Sequence, residues 1–208
     1  MPDKIVKQIE KLVLPEITSK KPVFCITGPM ASGKNFICEK FEQLGFVSVD
    51  LDKEVHKVLE EKKAEVFEAF EETAESLGLK IRTEDDKLDR RALGALLFSD
   101  SNLLKKHEQI IYPALTENVK TFVKDINNLK ENRPKGIILN ATVLYKTPEL
   151  MNKCDFIVYI QANWIRRFNR ARKRDHMNEM QIMQRFTAQK WLLEKYQATG
   201  KKIIVIKN

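Results

Sequence analysis

Gly28-Pro29-Met30-Ala31-Ser32-Gly33-Lys34 is the stretch whose residue types and spacing most directly suggest chemistry. Its two glycines let the backbone curl so that N–H groups turn inward. The lysine that follows can reach the outer oxygens of a polyphosphate, and a helix starting there would add its positive end. Residues 28–34 are therefore candidate phosphate-binding residues. The next position, where such a loop usually carries Ser or Thr, holds Asn35. An amide oxygen can ligate Mg²⁺ directly or through water, but it is neutral and bulkier than a hydroxyl, and Mg²⁺ tolerates little geometric error. The expectation is an intact phosphate cradle with a sensitive metal site, Asn35 and Asp50 being the candidate Mg²⁺ ligands, partly through water.

Two further groups carry chemistry. Asp50 and Asp52 lie two apart, and in extended backbone they would point the same way. Across from the loop they could position an acceptor hydroxyl, take its proton or hold metal; the plainer reading is that Asp52 caps the following helix. Residues 166–174, RRFNRARKR, are the densest basic run. Arg167, Arg170 and Arg174 fall at i, i+3 and i+7, one helical face suited to closing over phosphates and neutralising transferring charge. The rival is a nucleic-acid-binding helix, whose affinity would fall steeply with salt. A net charge of +8 fits nucleic acid, an acidic membrane surface or a small polyphosphate equally.

The elements that must hold these groups can be read from periodicity. Runs at 23–27, 46–49, 137–139, 156–160 and 203–206 are short, apolar and β-rich. Several do not alternate, which predicts a parallel sheet covered on both faces. Residues 34–44 place Ile37, Phe41 and Leu44 on one helical face before Gly45, so strand, helix and strand form a βαβ unit. The predicted class is α/β, with helices on both sides of a parallel sheet. Residues 53–132 show only helical spacing and read as an insertion between the second and third strands; 163–195 form another helical region. The third strand ends in Asn140, an amide where many such folds place an Asp.

Composition narrows the rest. At 208 residues and 43% hydrophobic content, one core with an inserted subdomain is expected. No apolar run approaches the roughly 20 residues that span a bilayer. The N-terminus lacks a continuous signal-peptide core, so a cytoplasmic protein is expected. Three scattered cysteines, Cys25, Cys38 and Cys154, predict free thiols rather than a disulfide framework or zinc site. His107 and His176 read as surface residues, and Trp164 and Trp191 as packing residues.

Taken together, TGPMASGK, GFVSVDLDKEVH, KLDRRALGALLFSDSNLLKKHEQIIYPAL, CDFIVYIQANWIRRFNRARKRD and RFTAQ resemble the dephospho-CoA kinase family in order and spacing over residues 22–208. The resemblance implies a three-layer P-loop kinase fold with a five-stranded parallel sheet, a helical acceptor-binding insertion at 53–132 and an arginine-rich lid at 163–195. The core would comprise 21–52, 133–162 and 196–208. It implies transfer of the ATP γ-phosphoryl group to the ribose 3′-hydroxyl of dephospho-CoA, with Mg²⁺ and without nucleic acid or membrane; the oligomeric state stays open, a monomer being favoured. Lys34, Asp52, Arg170 and Arg174 would be catalytic, with Asp52 the acceptor-side base or orienting carboxylate. Asp50, His56, Arg90 and Tyr112 would contact the acceptor, and Asn208 would lie near the adenine pocket.

The sequence also departs from the family pattern. Asn35 replaces the loop hydroxyl, Tyr112-Pro113 stands for His-Pro, and Lys146 falls where a carboxylate is usual. The family usually continues past the position of Asn208 into a final helix, and a helix within residues 1–20, with Ile5, Ile9, Leu12 and Val13 on one face, is expected to cover the sheet in its place. The alternatives are a kinase for another nucleoside or nucleotide, or an ATP-binding regulatory protein that does not catalyse.

Overall fold

The apolar runs become buried strands. The computed structural model describes residues 2–175 and 178–208, so His176 lies outside the described residues. Five strands, β1 (Val23–Thr27), β2 (Val47–Asp50), β3 (Ile137–Asn140), β4 (Ile157–Gln161) and β5 (Ile203–Lys207), form one parallel sheet in the order β2-β3-β1-β4-β5. Central β1 is buried at every position, whereas β5, on the edge, alternates. That difference follows from cover: a central strand has helices on both faces and an edge strand does not. Because β1 lies between β3 and β4, the chain leaves the sheet centre in opposite directions there, the kind of switch point where a crevice opens at the carboxyl ends of the strands.

The chain divides into two compact units, the first Met1–Asp52 with Phe122–Asn208 and the second Lys53–Thr121. In the first unit, α1 (Pro2–Gln8) runs into a π-helical turn, Ile9–Val13. Ile5, Ile9 and Val13 are buried in one cluster with Phe24, Ile204 and Ile206. Gln8 makes a reciprocal pair with the edge strand: its Nε2 donates to Lys207 O at 3.1 Å and its Oε1 accepts from Lys207 N at 3.0 Å. Helix α2 (Lys34–Gln43) is fastened to β1 by aromatics, Phe24 lying 5.3 Å from Phe41 and stacked 4.8 Å from Phe156.

Helix α3 (Leu51–Glu61) begins directly after β2 and continues into the second unit. There α4 (Lys63–Ser76), α5 (Arg90–Ser99) and the start of α6 (Ser101–Asn128) bury Val66, Phe67, Phe70, Leu93, Leu96 and Ile111. Pro113 sits inside α6. Asp89 is the N-cap of α5, accepting from Arg91 N and Ala92 N. His107 is half-buried rather than at the surface: its ring lies 6.2 Å from Phe70, and Nε2 is buried without a partner. Burial lowers its pKa.

Back in the first unit, a 3₁₀ turn (Leu144–Lys146) and α7 (Pro148–Lys153) lead into β4. Helices α8 (Trp164–Asp175), α9 (Glu179–Ala188) and α10 (Leu192–Gln197) precede β5. Buried Tyr196 on α10 accepts from Leu144 N at 2.9 Å and donates to Thr142 O at 3.2 Å, which anchors the segment after β3. Among the described residues, no helix is long and apolar enough to cross a membrane.

Candidate active site

The curl between β1 and α2 requires its glycines. Gly28 (φ +151°) packs so closely that a Cβ would meet Ile160 O at 2.6 Å and Ser32 Oγ at 2.8 Å. Gly33 (φ +96°) would overlap the Asn208 side-chain amide if it had a Cβ. Gly33 is also the N-cap of α2 and supplies no side chain, and the first turn of α2 contains no acid. Its leading N–H groups therefore keep their positive partial charge uncapped, a site prepared for an anion. Helices α5 and α9 differ, being capped by Asp89 and by an Asn178–Gln181 capping box.

The loop carbonyls face the other way and are occupied. Arg167 Nε donates to Met30 O at 2.9 Å, Arg170 Nη1 to Ser32 O at 3.3 Å and Ala31 O at 3.5 Å, and Asn208 Nδ2 to Ser32 O at 2.7 Å. Met30 N donates to Gln189 Oε1 at 2.6 Å. Ser32 Oγ is buried with no partner, a hydroxyl inside the curl with its donor unspent. Asn208, the residue after β5, thus holds the loop through its side-chain amide.

Half-buried Lys34 donates to Gly28 O at 3.1 Å, folding its ammonium back over the curl. Burial lowers its pKa; the Asp52 carboxylate is the largest opposing influence, and Arg174 reinforces the lowering. Lys34, Asp52, Asp50 and Arg174 thus share one electrostatic environment.

The two aspartates are not an extended pair. Asp50 ends β2, and α3 starts at Leu51. Asp50 Oδ1 accepts from Asp52 N at 3.1 Å, the bond a helix N-cap makes to the second helical residue. Asp50 is the cap, and Asp52 is the second residue of α3, with its side chain exposed. His56 lies four residues further along α3, exposed, in the second unit. The second unit also contains exposed Arg90, first residue of α5, and half-buried Tyr112, whose hydroxyl donates to Glu108 Oε1 at 3.3 Å.

Asn35 and Asn140 meet. Asn140 Nδ2 donates to Asn35 Oδ1 at 2.9 Å, while Asn140 Oδ1 is buried without a partner. Asn140 is in register with Asp50 on one side and Ile26 on the other. Among the described residues no cluster of three or more His, Cys, Asp or Glu could hold a metal. Mg²⁺ needs none, since it keeps several waters and takes one or two protein oxygens plus substrate phosphates. The unclaimed Asn140 Oδ1, Asn35 Oδ1 and the Asp50 carboxylate fit such an ion. Sequence reading missed the loop contacts of Arg167 and Gln189; the signals available were the arginine face of α8 and the Arg-x-x-x-Gln spacing of Arg185 and Gln189.

A glycine-rich curl at the carboxyl end of the central strand of a five-stranded parallel sheet, leading into an uncapped helix, defines a P-loop kinase fold. A Thermus thermophilus crystal structure shares that fold, with a TM-score of 0.71 over 91% of this chain and 90% of that one at 23% identity. A dephospho-CoA kinase structure from Campylobacter jejuni aligns with a TM-score of 0.55 over 91% and 89% at 24% identity. Residues 23–208 match the family model described as "Dephospho-CoA kinase". The curated dephospho-CoA kinase of Treponema denticola is 38% identical over 88% of this chain and 80% of its own length. That of Treponema pallidum is 35% identical over 81% and 78%. The chain belongs to the dephospho-CoA kinase family. It is an ATP-dependent kinase.

Proposed function

We propose that the chain transfers the γ-phosphoryl group of ATP to the ribose 3′-hydroxyl of dephospho-CoA, and does so with the site just described. The observation that carries this reading is the uncapped curl at residues 28–34 sharing one electrostatic environment with Lys34 and Asp52. The uncapped N–H groups at the start of α2, the Ser32 hydroxyl and Lys34 hold the phosphates. Asp52 orients the acceptor hydroxyl and receives its proton. The acceptor oxygen bonds to the γ-phosphorus as the bond to the β,γ-bridging oxygen breaks, and ADP leaves with that electron pair. Arg170 and Arg174, on a lid spanning 163–195, neutralise the moving charge. Because the transition state is loose, positioning and neutralisation matter more than proton removal.

Mg²⁺, when bound, supplies charge neutralisation on the β- and γ-oxygens. Asn35 and Asn140 would hold it with neutral oxygens, and Asp50 with a carboxylate through water. The acceptor's own phosphates and adenosine are assigned to His56, Arg90 and Tyr112 of the second unit. Three buried free thiols support a reducing, cytoplasmic setting.

The deciding experiment incubates the protein with ATP, Mg²⁺ and dephospho-CoA and reads both nucleotides by mass. ADP together with an acceptor one phosphoryl group heavier, located at the 3′ position, is expected. Unchanged dephospho-CoA alongside phosphorylation of another nucleoside or nucleotide would overturn the acceptor assignment.

A further inference from the structure

Met30 lies at the middle of the loop, and both of its peptide groups are gripped by the α8–α9 region. Its N–H donates to Gln189 Oε1 at 2.6 Å, and its C=O accepts from Arg167 Nε at 2.9 Å. These belong to successive peptide planes, so together they fix the backbone on either side of the Met30 Cα. The Arg167 guanidinium itself lies over the Phe186 ring, 4.1 Å from its centroid. The Met30 side chain is buried in a cluster with Ala31, Ala171, Ile182 and Phe186, with Phe168 packed against it. The loop is thus part of the small core beneath these helices.

The residue after Met30 explains why a grip is needed. Ala31 has φ +59°, a left-handed conformation in a residue that carries a Cβ. For a non-glycine residue that costs about 1–2 kcal/mol. It persists only where the surroundings over-determine it. An ungripped loop would relax at Ala31, and the curl that turns the N–H groups inward would be lost from part of the population.

We propose that Gln189 and Arg167 are positioning residues that clamp the two peptide planes of Met30, hold Ala31 left-handed, and so set the phosphate cradle before nucleotide arrives. The helices credited above with neutralising charge have this second task. The proposal deepens the reading that the loop binds ATP and rests on it for its affinity arm, but not for its structural arm.

The structural arm is read without nucleotide, by amide hydrogen exchange in NMR. The Met30 amide is expected to be protected in the wild-type chain and to exchange roughly tenfold faster in Gln189→Leu, the effect of removing one acceptor from a part-buried donor. Amides of α2 and the sheet should keep wild-type protection. The affinity arm measures a non-hydrolysable ATP analogue by calorimetry, with KM and kcat alongside. Gln189→Leu should weaken binding and raise KM for ATP by roughly tenfold, with kcat at saturating ATP nearly retained.

Two further variants separate this role from general damage. Adding Ala31→Gly to Gln189→Leu should restore most of the lost affinity, because glycine adopts that φ without the Cβ penalty. Arg167→Lys keeps the charge but not the flat, forked donor, so it should weaken ATP binding as much as Arg167→Met does. Unchanged Met30 exchange in Gln189→Leu would overturn the clamp, as would failure of Ala31→Gly to recover affinity, or full affinity in Arg167→Lys. If the wild-type chain binds no ATP, the phosphate reading fails, while the exchange arm still decides whether Gln189 holds the loop.

Discussion

Lys34 concentrates the physics of the site in one side chain. Its ammonium is turned onto Gly28 O and its pKa is lowered by burial, so it carries a desolvated charge ready for an anion. Replacing it with Ala should reduce kcat/KM by at least about a hundredfold, the scale of losing one preorganised donor, with both ATP binding and turnover affected. Steady-state kinetics will separate the two. The lowered pKa also fixes a sign. Between that pKa and 10.5, the unfolded chain binds more protons than the folded one, so the stability of the empty protein gains from this group as pH rises. ATP affinity runs oppositely, falling as pH climbs through the lowered pKa, below the ordinary lysine range. Denaturant titrations of wild type and Lys34→Met across alkaline pH should differ by this trend. Asp52→Asn should lower turnover by about a hundredfold with little change in KM for ATP; unchanged turnover would remove its acceptor role. Asn35→Ser should restore the hydroxyl and lower the Mg²⁺ concentration at half-maximal nucleotide binding. It also breaks the bond from Asn140, so calorimetry with and without Mg²⁺ must accompany the assay.

At the scale of elements, the apolar runs were legible because buried parallel strands need little else. The runs stop at Val49 and Leu139, and the strands carry on one residue, to Asp50 and to the Asn140 read from the sequence as the end of the third strand. The paired reading of Asp50 and Asp52 needed extended backbone, and the cap that Asp50 makes puts a helix there instead. Gln189 and Met30 are 159 residues apart, and nothing local announces their bond. His107 was misplaced because a histidine among charged neighbours looks solvated, although its face of α6 packs on Phe70. Its lowered pKa means the unfolded chain protonates first as pH falls below 6.5. The second unit should therefore lose stability from there down to the folded-state pKa, and His107→Phe should flatten that acid limb in circular-dichroism melts.

Across the whole molecule, two units with separate cores predict departures from two-state unfolding. A non-hydrolysable ATP analogue at about a hundred times its dissociation constant should stabilise the first unit by about 2.7 kcal/mol, and differential scanning calorimetry should show that transition move. Deleting residues 2–16 removes Ile5, Ile9 and Val13 from the cluster under β5, each worth about 1.5–3 kcal/mol when fully buried. The shortened chain should melt well below the full one; an unchanged melting temperature would show that the segment contributes nothing. Gln8 gives that deletion a second outcome. The side-chain amide occupies both hydrogen-bonding groups of Lys207, and so acts as a stopper on the rim of the sheet. Without it, β5 presents an unfinished ribbon that a neighbouring molecule can extend, and concentrated samples should turn cloudy before they unfold.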